Sequence, residues 1–428
     1  MSTLILIGGF FGLLALNVPV GLCLITSAIG TLLYEGMPFS MIATNYFTSC
    51  NKYLLLAIPF FIVAGNIMEK AQISTRLIDF FRSLVGHKKG GLAMVCVLVA
   101  CFFAAISGSG PATVAALGAI VIPAMVSSGY TPAQSSALMA TAGAIGSIIP
   151  PSITFVLYGS ITGNSIGDLF MSGMVPGILV GAALIYAMKF SARNQELVEL
   201  PRATRHERIE AFKEAIWALL MPVIILGGIY SGIFTPTEAA AVSAVYGLIV
   251  GVFVYRTVDL KTLYNICIDS IRSTGQIMFI CACASIFSWV LNVLGLAHAA
   301  TNGLVGLAGG NKFIFLFMVN VILIIAGCLL DGTSLFLIFT PILYPAAMAL
   351  KIDPIAFGTV MVINVAIGQV TPPVGLNLYV ACGIGNISLK EISKAVVPFV
   401  VAAFIVCLLV TYVPGIATFL PDLLALAD

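Results

Sequence analysis

The stretch AIGSIIPPS, residues 144–152, interrupts a long apolar region, and a close copy of it, AIGQVTPPV, occupies residues 366–374. Each copy contains two adjacent prolines, which carry no backbone N–H donor and push the preceding residue away from helical geometry. We therefore expect each copy to break a membrane helix into two half-helices with free carbonyl groups and positive N-terminal ends. The predicted break residues are Pro150, Pro151, Pro372 and Pro373.

The offset of 222 residues between these copies (residue 366 against residue 144) also pairs other glycines and prolines along the chain. It aligns Gly110 with Gly332, Pro123 with Pro345, Pro132 with Pro354, and Pro176 with Pro398. So many coincidences at one offset indicate an internal duplication. The chain therefore consists of two related halves, joined by the polar stretch 189–215.

The composition predicts that the solvent of this protein is a lipid bilayer. Of the 428 residues, 60% are hydrophobic and only 8% are charged, and the mean hydropathy is +1.13. Soluble domains carry about 25% charged residues. The net charge of +2 is not that of a nucleic-acid-binding protein.

The sequence offers no motif for an enzyme. The ten cysteines form no CxxC pair, and the three histidines are far apart, so we expect neither a zinc site nor a phosphate-binding loop. Ser109 in its glycine-rich turn could suggest an intramembrane serine protease. That chemistry needs a histidine at membrane depth, and His298, the one candidate, falls in a segment that we predict at the outer surface.

Two short segments resemble the tips of re-entrant hairpins. SGSGPAT, residues 107–113, separates two apolar runs of about 12–15 residues, whereas a full crossing needs roughly 20. LDGTS, residues 330–334, is its counterpart in the second half. Non-helical backbone at membrane depth is tolerated only inside protein or beside a watery cavity, so both tips are candidate binding sites.

We expect five full crossings and one hairpin in each half. The crossings of the first half are predicted near residues 3–17, 20–34, 53–68, 133–160 and 173–190. Those of the second half are predicted near residues 216–233, 238–254, 274–291, 355–383 and 395–412. An odd number of crossings per half makes the two repeats inverted, which is typical of secondary transporters.

Positive charges give the orientation, because they accumulate on the cytoplasmic side. With an outside N-terminus, Lys52, Lys312 and Lys351 are the exceptions, and the other 16 of the 19 lysines and arginines lie inside. Both termini are then periplasmic. The predicted units are a scaffold (1–68 and 216–291), a cytoplasmic amphipathic arm (69–90), a cytoplasmic linker (189–215), a periplasmic arm (292–312), and a transport domain (91–188, with hairpin 91–126 and broken helix 133–160, and 313–428, with hairpin 313–350 and broken helix 355–383).

The hairpin tips and broken helices predict two Na⁺ sites, one per repeat, since carbonyl and hydroxyl oxygens are ligands for such a cation. The first site comprises Ser107, Ser109, Gly110, Thr113, Gly146, Ser147 and Ile149. The second comprises Asp331, Gly332, Thr333, Ser334, Gly368, Gln369 and Thr371. The alternative for the glycines and serines is close helix packing.

An anionic substrate would be held near the same tips by helix dipoles and hydroxyl groups. The candidate substrate contacts are Ser109, Ser152, Thr154, Asp331 and Asn377. Asp331 is the only acidic residue in the hairpin tips and helix breaks, and intramembrane carboxylates are costly and usually functional. It could equally cap the second hairpin helix, and the hydroxyl and amide groups could bond to nearby backbone.

With SGSG and LDGT tips and with IGxxxPPS and IGxxTPPVG breaks, the chain resembles the large membrane subunit of tripartite ATP-independent periplasmic (TRAP) transporters, in particular the sialic-acid branch. The resemblance covers essentially the whole chain. It implies an all-α, elevator-type, Na⁺-coupled importer of organic acids, chiefly C4-dicarboxylates and sialic acid, in the bacterial inner membrane. It also implies two partners, a small four-helix membrane subunit and a periplasmic substrate-binding protein. The family places Na⁺ at positions that match Ser109–Gly110, Gly146–Ser147, Gly332–Thr333 and Gly368–Thr371.

The main alternative is a self-sufficient Na⁺/divalent-anion symporter of similar inverted-hairpin architecture. Such carriers tend to have Ser-Asn-Thr tips, which this sequence lacks, and they need no binding protein. A receptor or structural membrane protein would have no need of two matched broken helices.

Overall fold

The computed structural model describes residues 1–425 of the chain. Over this range the protein consists of helices and connecting turns without a β-strand. Residues 426–428, the end of the predicted transport domain and the C-terminus that we expect in the periplasm, lie outside the described residues.

The first half contains ten α-helices. They are α1 (Gly9–Ala15, after a π-helical turn Leu4–Gly8), α2 (Val20–Glu35), α3 (Ser40–Cys50), α4 (Ala57–Lys70, after a 3₁₀ turn Tyr53–Leu56), α5 (Ile73–Val85), α6 (Gly91–Ser107), α7 (Gly110–Ser127), α8 (Pro132–Ala144, continued by a 3₁₀ turn Ile145–Ser147), α9 (Ile153–Thr162) and α10 (Ile166–Ser191).

The second half, as far as the structure describes it, contains eleven more. They are α11 (Arg205–Tyr230), α12 (Pro236–Ile249, continued by a π-helical turn Val250–Val254), α13 (Leu260–Val293), α14 (Leu296–Leu307), α15 (Lys312–Gly327), α16 (Gly332–Ala349), α17 (Pro354–Gly368), α18 (Leu376–Gly385), α19 (Leu389–Ala395), α20 (Val397–Tyr412) and α21 (Gly415–Ala425).

Several helices begin where a polar side chain satisfies the free N–H groups of the first turn. Thr131 accepts a hydrogen bond from the backbone N–H of Gln134 at the start of α8, and Asp353 does so for Ala356 at the start of α17. Pro132 and Pro354 then occupy the first helical position, where a missing N–H costs nothing. The predicted helix start after Thr204 is confirmed by a capping box at α11.

The order of elements repeats at the offset found in the sequence. Helices α7 and α16 begin at residues 110 and 332, and helices α8 and α17 begin at residues 132 and 354, so both pairs are 222 residues apart. The peptide bonds Pro150–Pro151 and Pro372–Pro373 are both cis. The duplicated element order is therefore present in the fold, while the inverted orientation of the halves across a membrane stays a prediction.

The hairpin helices are longer than the predicted 12–15 residues. Helices α6 and α7 have 17 and 18 residues. The prediction was too short because Gly110 and Pro111 are part of α7, where proline is tolerated in the first turn, and because α7 continues through Pro123. Within the described residues, seven helices are long and apolar enough to cross a membrane, or nine if two bent pairs each count as one span.

Other boundaries also differ from the sequence-based expectation. Helix α10 runs for 26 residues through Pro176, and α13 runs for 34 residues, where we expected crossings of 173–190 and 274–291. The prediction missed α3 and α21, because neither has an apolar run long enough to suggest a crossing. The two predicted arms contain α5 and α14, and α5 is amphipathic, burying Ile73, Leu77, Ile78 and Phe81 on one face.

The two halves interlock around the broken helices. Helix α18 of the second half packs against α7 and α8 of the first, and α9 packs against α16. Tyr158 on α9 donates a hydrogen bond of 2.7 Å to the carbonyl of Pro354, and the hydroxyls of Ser172 and Thr359 are 2.6 Å apart. Helix α4 packs against α12, and α2 and α3 pack against α13. This interlocking brings both hairpin tips to the centre of the molecule.

Candidate functional site

The first hairpin tip is a tight polar turn between α6 and α7. Gly108 has a φ of +60°, a conformation that favours glycine. The hydroxyls of Ser107 and Thr113 are 2.8 Å apart, and Thr113 also lies 2.8 Å from the carbonyl oxygen of Ser109, to which it can donate. Thr113 is fully buried. The predicted residues Ser107, Ser109 and Thr113 therefore form one cluster of oxygen atoms.

This tip touches the break that follows α8. The backbone N–H of Ile153 donates to the carbonyl of Gly108 at 3.4 Å. A Cβ atom added to Gly146 would lie 2.9 Å from Thr113 Oγ1 and 3.1 Å from the carbonyl oxygen of Ser109. Only a glycine at position 146 permits this approach without displacement, so Gly146 joins the first cluster as predicted.

Three other predicted residues of the first break have different surroundings. The Ser147 carbonyl accepts hydrogen bonds from Ser152 Oγ at 2.6 Å and Thr154 Oγ1 at 3.0 Å. Both of these hydroxyls are buried, so they cross-link the break itself. The Ile149 side chain packs against Gly177 of α10, which leaves only its backbone to contribute to a site.

The second tip is closed by its carboxylate. Asp331 caps α16, since the backbone N–H of Ser334 donates to Asp331 Oδ2 at 3.1 Å and the Ser334 hydroxyl donates to Oδ1. Asp331 is half-buried, and Thr333 beside it is also partly exposed. The N-cap role is therefore present, and it leaves room for further ligands on the carboxylate.

The second tip also touches its own break. The backbone N–H of Val374 donates to the Cys328 carbonyl at 3.2 Å. A Cβ on Gly368 would lie 2.6 Å from the Cα of Gly327, so the backbones of α15 and α17 are in direct contact. Thr371 Oγ1 donates to the Ile367 carbonyl at 2.7 Å.

The amide of Gln369 lies between the two hairpin tips. A Cβ on Gly110 would be 2.8 Å from Gln369 Oε1, and a Cβ on Gly332 would be 2.4 Å from Gln369 Nε2. Asn377 approaches from α18, with its Nδ2 atom 3.0 Å from the same point on Gly110. The structure thus joins two residue sets that the sequence predicts as separate sites.

Two buried oxygen atoms at this junction are left open. Gln369 Oε1 and Asn377 Oδ1 accept no hydrogen bond from any residue that the structure describes, and the two side chains are 5% and 0% exposed. Buried polar atoms without partners are uncommon and call for an explanation such as a ligand or ion. Hydroxyl, carbonyl, amide and carboxylate oxygens are the donors that suit hard cations.

A cavity of about 190 Å³ lies between the turn before α4 and helices α9, α13 and α16. Lys52, the cation of its lining, donates to the carbonyl of Ser160 at 2.7 Å, and Ser49, Ser285 and Ser288 also line it. The sequence analysis used Lys52 only as an outside charge. Its isolated position between apolar stretches was the one signal that could have indicated this cavity.

Interrupted helices, paired hairpin tips and an apolar exterior define a multi-span membrane transport protein. The chain matches the family described as tripartite ATP-independent periplasmic transporter, DctM component, over residues 7–416. It belongs to this family, as the resemblance of its tips and breaks predicted, and homologous permease subunits support a location in the inner membrane.

Three relatives show the range of the family. The chain is 41% identical to the C4-dicarboxylate TRAP transporter large permease protein DctM of Pseudomonas aeruginosa, over 94% of both chains. It is 35% identical to the sialic acid TRAP transporter large permease protein SiaM of Vibrio cholerae, over 97% of both. It is 42% identical to the isethionate TRAP transporter permease protein DctMQ of Oleidesulfovibrio alaskensis, over 96% of this chain but 65% of that protein.

A solved structure shares the fold. The YdaH transporter of Alcanivorax borkumensis, described as having an unusual topology, matches with a TM-score of 0.64 over 90% of this chain and 89% of the other. The two sequences are 14% identical, so the likeness concerns the fold alone.

Proposed function

We propose that this protein is the large permease subunit of a Na⁺-coupled secondary importer of organic acids that depends on a binding protein. The convergence of both hairpin tips on the Gln369 amide is the observation that carries this proposal. It creates a compact site of oxygen ligands at the centre of the molecule, built equally from both halves of the chain.

In this proposal one Na⁺ binds at each tip. The first ion would use the oxygens of Ser107, Ser109 and Thr113 next to Gly146, and the second would use Asp331 and Thr333 next to Gln369 and Thr371. Each ion would draw a tip and a broken helix together. Because Gln369 contacts both tips, binding at one site would favour binding at the other, and the coupling would be reciprocal.

The organic anion would bind between the tips. Helices α7 and α16 both start beside Gln369, and their positive N-terminal ends favour a carboxylate. Ser109, Asp331 and Asn377 remain the proposed substrate contacts, whereas we give Ser152 and Thr154 the structural role that their hydrogen bonds describe. The relatives favour testing a C4-dicarboxylate and sialic acid side by side.

Transport would follow an elevator mechanism. Residues 91–188 and 313–428 would carry ion and substrate across the membrane, against a scaffold of residues 1–68 and 216–291. Support comes from the way in which α6–α10 interlock with α15–α18 and from the cavity at Lys52 between the two sets of helices. A small membrane subunit would extend the scaffold, and a periplasmic binding protein would deliver the substrate.

Reconstituted liposomes test the proposal directly. The chain is combined with its small membrane subunit and binding protein, and uptake of radiolabelled succinate and sialic acid is measured with and without an inward Na⁺ gradient. We expect uptake of one of them only with both the gradient and the binding protein. Uptake that ignores Na⁺ overturns the coupling. Uptake without the binding protein favours a self-sufficient symporter.

A further inference from the structure

A second cavity lies far from the hairpin tips, where α6 begins and α10 ends. Its volume is about 360 Å³, and its lining combines Lys89, Lys189, Arg193 and Tyr130 with apolar side chains such as Met94 and Met188. Nothing in the proposed transport function uses these residues. The combination of several cations with an apolar wall is unusual for an ordinary gap between helices.

The three cations of this cavity have no acidic partner within salt-bridge distance among the residues that the structure describes. All three are exposed at the rim. Glu196, the nearest acidic residue along the chain after Arg193, is exposed as well, and its backbone carbonyl is directed at Gly129. The cavity therefore presents a net positive rim to its surroundings.

Tyr130 gives this cavity a hydrogen-bond donor. The side chain lies in the turn between α7 and α8 and is 4% exposed. Its hydroxyl is 3.5 Å from the position that a Cβ on Gly90 would take, and it makes no hydrogen bond to any described residue although it borders the cavity. Burial raises the pKa of Tyr130 to about 12, so the hydroxyl keeps its proton at neutral pH.

Aromatic side chains place this end of α10 at the level of lipid headgroups. Tyr186 is 75% exposed and Phe190 is 62% exposed, and both lie in the last two turns of α10 beside Lys189. Exposed aromatic residues next to lysine are typical of the membrane–water interface. A ligand that enters here meets headgroups before it meets bulk water.

We propose that this cavity binds an anionic phospholipid. The phosphate is held by Lys89, Lys189 and Arg193 and accepts a hydrogen bond from Tyr130, while an acyl chain lies along Met94 and Met188. Basic pockets between membrane helices hold anionic headgroups in this way. The lipid fixes the start of α6 against the end of α10, and it is independent of Na⁺ and of the transported acid.

Native mass spectrometry of the full chain in detergent tests the site, with phosphatidylglycerol, phosphatidylcholine and inorganic phosphate added separately. We expect phosphatidylglycerol to bind. The triple variant Lys89→Gln, Lys189→Gln, Arg193→Gln should lower its affinity by about tenfold to a hundredfold, since each cation near such a headgroup contributes about fivefold. Tyr130→Phe, which keeps the packing of the ring, should lower it by about threefold.

A matched control removes the same charge from the linker, with Arg202→Gln, Arg205→Gln and Lys213→Gln, and it should bind phosphatidylglycerol normally. Equal losses in the control and in the cavity triple variant would overturn the proposal, because general attraction to the surface would then explain binding. Equal affinity for phosphatidylcholine would also overturn it, as would saturation of the same residues by inorganic phosphate alone. If the triple variant does not fold, the comparison of Tyr130→Phe with the unchanged protein decides the question.

Discussion

At the scale of single residues, Gly110 matters because it gives the Gln369 amide its place. A Cβ at this position would lie 2.8 Å from Gln369 Oε1 and 3.0 Å from Asn377 Nδ2, and both side chains are buried. Gly110→Ala should therefore displace the amides and lower Na⁺-driven uptake by about tenfold or more, in line with the 1–3 kcal/mol that overpacking costs. Uptake into liposomes at saturating substrate is the measurement.

The control for this variant is Gly383→Ala, because Gly383 lies on α18 near Asn377 and an added Cβ there meets nothing within 4 Å. It should transport like the unchanged protein. Normal uptake by Gly110→Ala would show that the amide has room to move and that its position between the tips is not required.

Asp331 allows the capping role and the charge to be separated. Asparagine is as good an N-cap as aspartate, whereas alanine costs about 1 kcal/mol of helix stability. We expect Asp331→Asn to keep its thermal unfolding temperature but to lose most Na⁺-dependent uptake, and Asp331→Ala to lose uptake and some stability while still assembling. If Asp331→Asn transports normally, the charge has no part in transport; if Asp331→Ala does so too, Asp331 does not belong to the site.

The sequence predicted most oxygen ligands of the tips, because small and hydroxylated residues at membrane depth are conspicuous. It did not predict that Gln369 would reach both tips. The repeat offset pairs Ser147 with Gln369 as equivalent positions, and an offset of this kind carries no information on contacts that cross between repeats. Their roles also differ, since Ser147 is held by hydroxyls of its own break while Gln369 faces the opposite half.

At the scale of helices, proline pairs were a reliable signal and helix length was not. Both breaks lie at the predicted prolines, because two missing N–H groups cannot be accommodated inside a helix. The hairpin helix α7 was underestimated because Pro111 occupies its first turn and Pro123 lies in its interior. Packing against α8 and α18 stabilises a helix that local propensity alone would shorten.

The contact of α15 with α17 depends on two glycines. Gly368→Ala would place a Cβ 2.6 Å from the Cα of Gly327, and a backbone atom cannot move aside as a flexible side chain can. We expect the helices to separate and the free energy of unfolding to fall by about 1–3 kcal/mol, measured as a lower thermal unfolding temperature in detergent. Gly303→Ala on α14 is the control, since nothing lies within 4 Å of its added Cβ; equal stability of the two variants would contradict this account of the contact.

At the scale of the whole molecule, composition and duplication predicted a membrane protein of two related halves, and the structure agrees. The interlocking of α18 with α7 and α8 was not predictable, because apolar faces along a membrane helix do not specify which neighbour they meet. The number of crossings also depends on more than hydropathy. Short apolar helices such as Val20–Glu35 fall below the length of a full span, and only their neighbours determine whether they cross.

Lys52 lies where the proposed scaffold meets the proposed transport domain, and two roles can be argued for it. As the cation of its cavity it would attract the substrate anion, and a single charge at about 4 Å is worth roughly 1–4 kcal/mol. Through its 2.7 Å hydrogen bond to the Ser160 carbonyl it would instead hold the two domains together. We expect the first role to prevail, because a hydrogen bond at the edge of a cavity exchanges readily with water and contributes only about 1 kcal/mol. Lys52→Gln should then raise the KM for uptake by about fivefold or more with little change in the maximal rate, Lys52→Arg should restore the KM, and Lys312→Gln, another outside lysine by charge count, should leave it unchanged. A faster maximal rate at an unchanged KM would show instead that Lys52 restrains the movement of the transport domain.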